Sequence, residues 1–91
     1  MTYQATYKTE IVTENKIIRS DGFSSVSFEN IGTNESLVNN MMPLYPQSGI
    51  SRFFNERPYV KINSDFSITF QPIENGISKV LVIFTYYNEI I

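Results

Sequence analysis

A chain of 91 residues is one domain, because halving it would leave two pieces too small to bury a useful core without metals or disulfides. It contains neither Cys nor His. That excludes a disulfide framework, a thiolate metal site and a cysteine nucleophile, and it removes the side chain best suited to proton transfer near neutral pH. With a net charge of −2, a pI of about 4.9 and seven basic residues scattered without a cluster, direct binding to nucleic-acid phosphates is not expected.

The chain opens on "MTYQATYKTE", which lacks an apolar run after a basic one, so neither a signal peptide nor a membrane anchor is expected. From Tyr3 to Val12, the residues Tyr3, Ala5, Tyr7, Thr9 and Ile11 share one parity, which reads as an amphipathic strand or an arm. "KIIRS", Lys16 to Ser20, reads as a short strand after a turn at Glu14-Asn15. The body begins near Gly22. Ser24 to Ile31 reads as a strand, with Val26, Phe28 and Asn30 on one face and Gly32 starting the bend. "TNES" is then a turn, and Ser36 to Met42 a strand closing a hairpin on the first.

"PLYPQSG" reads as a loop, since Pro43 and Pro46 donate no ladder hydrogen bonds. Gly49 to Phe54 resumes extended structure with Ile50 and Phe54 on one face, and "NERP" turns the chain into Tyr59 to Asn63. In "DFSITF" the residues Phe66, Ile68 and Phe70 alternate strictly with Ser67 and Thr69, the pattern of a half-buried strand. After a loop at "QPIENGIS", "KVLVIFTYY" (Lys79 to Tyr87) is apolar on both parities. It should be a central strand covered on both faces, or one face must be covered by another chain.

Short strands rich in β-branched and aromatic residues, separated by Asn, Gly, Ser and Pro, are the punctuation of an all-β sandwich. The fold expected is a compact antiparallel β-sandwich of about 6–8 short strands. Residues 1–21 form an N-terminal arm or edge strands, and residues 22–91 the sandwich body.

No constellation of catalytic residues emerges. Glu29 and Glu35 flank a turn, and Asp65 and Glu74 lie at loop edges, where carboxylates are ordinarily solvated. Gly32 and Gly49 are isolated and read as turn residues that need unusual backbone angles. In "SGISRFFNERP", Glu56 is placed to pair with Arg52 or Arg57. Tyr45 lies between two prolines with Met41, Met42 and Leu44 nearby, and exposes apolar surface suited to a neighbouring subunit. No catalytic, cofactor-binding or metal-ligating residue is assigned, and no cofactor is expected.

Four stretches together resemble a family of small β-sandwich proteins encoded among the structural genes of tailed phages, especially crAss-like and other phages of gut Bacteroidales. They are "SVSFENIGT", with its Asn-x-Gly turn; "LYPQSGISRF", a Leu-x-Pro-x-Ser type of loop; "INSDFSITF"; and "KVLVIFTYY". The resemblance spans roughly Gly22 to Tyr87. One departure is that the family's loop usually carries Pro-Gly before Ser, whereas this chain has Pro46-Gln47-Ser48-Gly49. The resemblance implies a virion role with no catalytic residues to carry over.

The leading expectation is therefore a non-enzymatic auxiliary or decoration protein that binds and reinforces a capsid, assembled in the host cytoplasm and resident in the virion. Its partners would be the major capsid protein or other virion proteins, with self-association open and neither nucleic acid nor membrane directly bound. Contacts are expected from Tyr3, Tyr7 and Ile11 in the arm and from Met42, Leu44, Tyr45, Arg52, Phe53 and Arg57 around the proline loop. Two alternatives are a head-fibre, collar or tail component, and a carbohydrate-binding or adhesion module using exposed tyrosines. A small hydrolase or lyase with a carboxylate mechanism ranks last.

Overall fold

The computed structural model describes residues 2–49 and 51–90. Eight strands form in chain order: β1 (Thr2–Val12), β2 (Lys16–Ile18), β3 (Ser25–Asn30), β4 (Glu35–Val38), β5 (Met42–Leu44), β6 (Arg52–Asn55), β7 (Phe66–Gln71) and β8 (Val80–Ile90). They build two four-stranded antiparallel sheets, ordered β1-β8-β3-β6 and β2-β7-β4-β5, packed as a sandwich. The pairs β1·β8, β2·β7, β3·β6 and β4·β5 are nested like one long hairpin. Rolling that hairpin up adds the pairs β3·β8 and β4·β7. This is the strand order of a jelly roll.

Alternation decides what lies inside. Val26 and Phe28 of β3, Phe66, Ile68 and Phe70 of β7, and Val80, Val82 and Phe84 of β8 all face the core. Their neighbours of opposite parity face outward. Phe23, immediately before β3, is fully buried and stacks against Phe84 with ring centroids 5.1 Å apart. Phe66 joins Phe28 and Phe54 at 5.5 and 4.8 Å. One end of the core is thus filled with aromatic rings.

The other end is polar. Asn30 closes β3 with its side chain buried, donating to the carbonyls of Asn34 (2.7 Å) and Leu44 (2.9 Å) and accepting from the Gly32 N–H (3.0 Å). Asn34, also buried, donates to the Ser78 hydroxyl at 2.8 Å and accepts from the Ile73 N–H at 3.0 Å. This corner carries the chain from one sheet to the other. A Cβ at Gly32 would collide with the Ile77 carbonyl, and one at Gly76 with the Asn34 amide. Gly32 is therefore required by close approach, not by the unusual backbone angle expected of it, whereas Gly49 does have a positive φ of 75°.

Three further expectations are corrected. β3 and β4 do not form a hairpin: they lie in opposite sheets, so that Val26 and Phe28 meet Val38 across the core. The strand expected over Ser36 to Met42 is broken at Asn39 and Asn40, whose φ values of 55° and 59° with the Met41 N–H to Val38 carbonyl bond make a tight turn in the three-residue connection between β4 and β5. Pro43 and Leu44, expected as loop, belong with Met42 to an edge strand, a position where Pro43 costs no central ladder bond. Tyr59 to Asn63 joins neither sheet and is tied by the Ile62 N–H to the Phe23 carbonyl at 2.9 Å. The expectation for Ile50 falls outside the described residues, while Phe54 does pack against the core.

Residues 1–21, expected as an arm or edge strands, supply one edge strand to each sheet, β1 and β2. β3 pairs with β8 only as far as Thr85, so Tyr86 to Ile90 and Thr2 to Thr6 continue as a two-stranded ribbon. The molecule is accordingly elongated, 53 × 21 × 17 Å.

Replacing Asn30 with Ala would remove three buried hydrogen bonds to backbone groups, at about 1–3 kcal/mol for each group left unsatisfied, before relaxation. Urea denaturation of Asn30→Ala should show a loss of at least about 2 kcal/mol. A loss below about 1 kcal/mol would mean that the corner is not what holds the crossing.

Candidate functional site

The outer face of the β1-β8-β3-β6 sheet is the surface that the sequence leaves needing cover. Its composition follows from register. Because Val80, Val82 and Phe84 point inward, Leu81, Ile83, Thr85 and Tyr87 point outward. On β1 they are flanked by Ile11, Thr9, Tyr7 and Ala5 in that order, with Tyr3 beside Glu89. On the other side, β3 contributes Glu29, Ser27 and Ser25, and β6 adds Phe53 beside Ser27.

An apolar band results. Ile11 and Leu81 sit at one end, Thr9 and Ile83 next, and Tyr7, Ala5 and Tyr87 beyond, with Phe53 across the serines. Tyr7 is 70% and Phe53 66% exposed, while Leu81, Ile83 and Tyr87 are half-buried by their neighbours. The charges on this parity of the four strands are carboxylates, Glu29 and Glu89, placed toward opposite ends. Such a face resembles the inner layer of a sandwich more than an ordinary solvated sheet surface.

The expected contact residues divide between this face and other parts of the fold. Tyr3, Tyr7, Ile11 and Phe53 come together on the outer face, although β1 and β6 are opposite edges of the sheet and far apart in sequence. Leu44 is corrected: it is 1% exposed, a core residue whose carbonyl holds Asn30, so its side chain has no surface to offer. Met42 packs against the same core. Tyr45 remains 54% exposed after β5. The ion pair expected between Glu56 and a neighbouring arginine is also corrected, since Arg52 Nε donates to the Pro43 carbonyl at 3.3 Å and Arg57 Nη1 to the Tyr59 hydroxyl at 2.9 Å. Exposed Ile73 and Ile77, in the loop before β8, drew no attention in the sequence. Their isolation between polar residues gives no periodicity to read.

A second feature is a groove of about 260 Å³ between β1, β8 and the segment around β2, lined in part by Lys8, Glu10, Lys16, Arg19, Asp21 and Tyr86. Much of its charge is already paired. Lys16 bonds Glu10, and Arg19 Nη1 meets Asp65 Oδ2 at 3.0 Å while the Ser20 N–H donates to Asp65 Oδ1 at 2.9 Å. The Ser20 N–H and then the Arg19 guanidinium hold the Asp65 carboxyl below its ordinary range. Partial burial, then the charge of Asp21 and a hydrogen bond to it, push the Tyr86 hydroxyl up. The groove is a braced seam between the sheets.

No family model, curated protein or solved structure matches the chain. The reading of its surface therefore rests on its own residues and strand order.

Two outcomes check these assignments. Leu44→Ala should cost about 2–5 kcal/mol in urea denaturation, and Tyr45→Ala about 0.5 kcal/mol or less, separating core from surface within the proline segment. Asp65 has a lowered folded pKa, so its contribution is present above the ordinary carboxylate range and lost as pH falls through the lowered value. Asp65→Asn should thus melt below the parent protein at neutral pH, with the difference vanishing in acid. A difference independent of pH would show that charge is not its source.

Proposed function

We propose that this protein is a non-enzymatic virion component, an auxiliary or decoration protein that packs the outer face of its β1-β8-β3-β6 sheet against the major capsid protein or another virion protein. The observation that carries this reading is the apolar band of Tyr7, Ile11, Leu81, Ile83, Tyr87 and Phe53 on a face over which no third sheet lies among the described residues. A domain of this size buries a smaller share of its surface than a large one, so covering that band adds burial it cannot supply alone.

The jelly-roll strand order supports the same reading by analogy of architecture, since capsid proteins use it widely. The phage-family resemblance of the sequence points the same way. The absence of Cys and His leaves few residue types for covalent or proton-transfer chemistry. Glu29 and Glu89 at the ends of the band favour a partner surface with basic residues at its rim, which would set register more than affinity.

Quantitative mass spectrometry of purified virions tests the reading. A decoration protein should be present in many copies, in fixed ratio to the major capsid protein. A few copies per particle would move the assignment to a head-fibre, collar or tail position, and none would remove it. In particles assembled with Tyr7→Ala and Phe53→Ala together, retention should fall several-fold while the isolated protein keeps its melting temperature to within a few degrees.

A further inference from the structure

β1 is an edge strand unlike the other three. β2 and β5 have 3 residues each and β6 has 4, short edges of the kind that avoid pairing with other chains. β1 has 11 residues, contains neither Pro nor Gly, and pairs with β8 without a bulge from end to end. The direction of its backbone groups follows from two bonds on the far side of β8. Ser24 N–H donates to the Thr85 carbonyl and Ile31 N–H to the Lys79 carbonyl, each at 2.9 Å. The odd-numbered residues of this stretch of β8 therefore turn to β3 and the even-numbered ones to β1. Since Lys8 stands opposite Phe84 and Thr6 opposite Tyr86, the even residues of β1 bond β8. Ala5, Tyr7, Thr9 and Ile11 then aim their N–H and C=O groups away from the sheet.

We infer that this edge pairs with the same edge of a second copy, antiparallel about a two-fold axis through Tyr7, joining two sheets into one of eight strands. The strand is close to palindromic in chemistry about its midpoint. In this register Tyr7 meets Tyr7, Tyr3 meets Ile11, Ala5 meets Thr9 and Gln4 meets Glu10, so outer-face apolar residues oppose one another and no like charges stand directly opposite. A register centred on Thr9 would place Lys8 opposite Glu10, but it pairs only Thr6 to Val12 before the chain leaves the sheet. Losing the pairing of Thr2 to Ala5 outweighs two exposed charge pairs. The centred register also lays the projecting ribbon of each copy along the body edge of the other. The β1 residues of the two apolar bands then meet at the shared edge. This inference does not depend on the virion assignment, because it rests on the edge and not on the face.

The test uses the whole chain in solution. Sedimentation equilibrium should give a mass that rises from monomer to dimer with concentration. Thr6 and Lys8 of the two copies form a pair without mutual backbone bonds, with Cα atoms about 4.5 Å apart, within disulfide reach. The protein has no cysteine of its own. Oxidising a mixture of Thr6→Cys and Lys8→Cys should therefore yield the cross-linked heterodimer in excess over either homodimer. Tyr7→Lys places two ammonium groups at the axis and should weaken dimerisation by at least about tenfold, with an unchanged melting curve at dilutions where both proteins are monomeric. A monomer at every concentration up to about millimolar, where the weakest specific association still registers, would overturn the inference. So would a dimer that Tyr7→Lys leaves intact, or one that Thr9→Cys locks while the Thr6 and Lys8 mixture does not.

Discussion

The buried amide of Asn30 is the interaction on which the rest of this fold depends. A sandwich has to carry its chain between layers, and each crossing strands backbone groups that no ladder can pair. Here a single side chain at the end of β3 bonds three backbone groups at the crossing, at the start of β4, the end of β5 and the intervening bend at Gly32. Asn34 extends the arrangement to the loop before β8. Asn15 and Asn39 repeat the device along β7, accepting from the Phe70 and Ser67 N–H groups at 2.9 Å each. Four asparagines thus do at the corners what strand partners do elsewhere.

With the corner fixed, the position of β8 is fixed too. Asn30 ends β3 opposite Val80, so β3 runs beside β8 and divides the apolar residues of β8 between an inner and an outer set. The inner set completes the core with Phe23, Phe28 and Phe66. The outer set has no such layer over it. The apolar band is a direct consequence of putting a strand that is hydrophobic on both faces into a sandwich of only two sheets.

Much of this was legible in the sequence, and the limits have physical causes. Alternation in "SVSFEN" and "DFSITF" correctly gave β3 and β7, because period two is a local signal, while the opening residues read as strand or arm alike. The doubled hydrophobicity of "KVLVIFTYY" correctly marked a central strand. What alternation could not carry was which strand sits beside which. β3 and β4 are close in sequence and looked like a hairpin, yet they belong to different sheets because the turn between them is held by buried amides and not by ladder bonds. Leu44 looked like loop surface because two prolines surround it, and its burial depends on β5 folding back at Asn39-Asn40. Tyr7 and Phe53 each looked exposed on its own. Only the order of the sheet shows that they share a face.

The ribbon formed by Thr2 to Thr6 and Tyr86 to Ile90 has a mechanical consequence. Thr2 and Ile90 stand opposite one another at its tip, so a pull applied between them acts across the strands and loads one rung at a time. Resistance to such a pull is set by the weakest single pair and not by the sum of the ladder. Sliding the two strands past one another in opposite directions along their length would instead share the load over many rungs at once. Spreading Thr2 from Ile90 is therefore the direction in which the ribbon opens most readily.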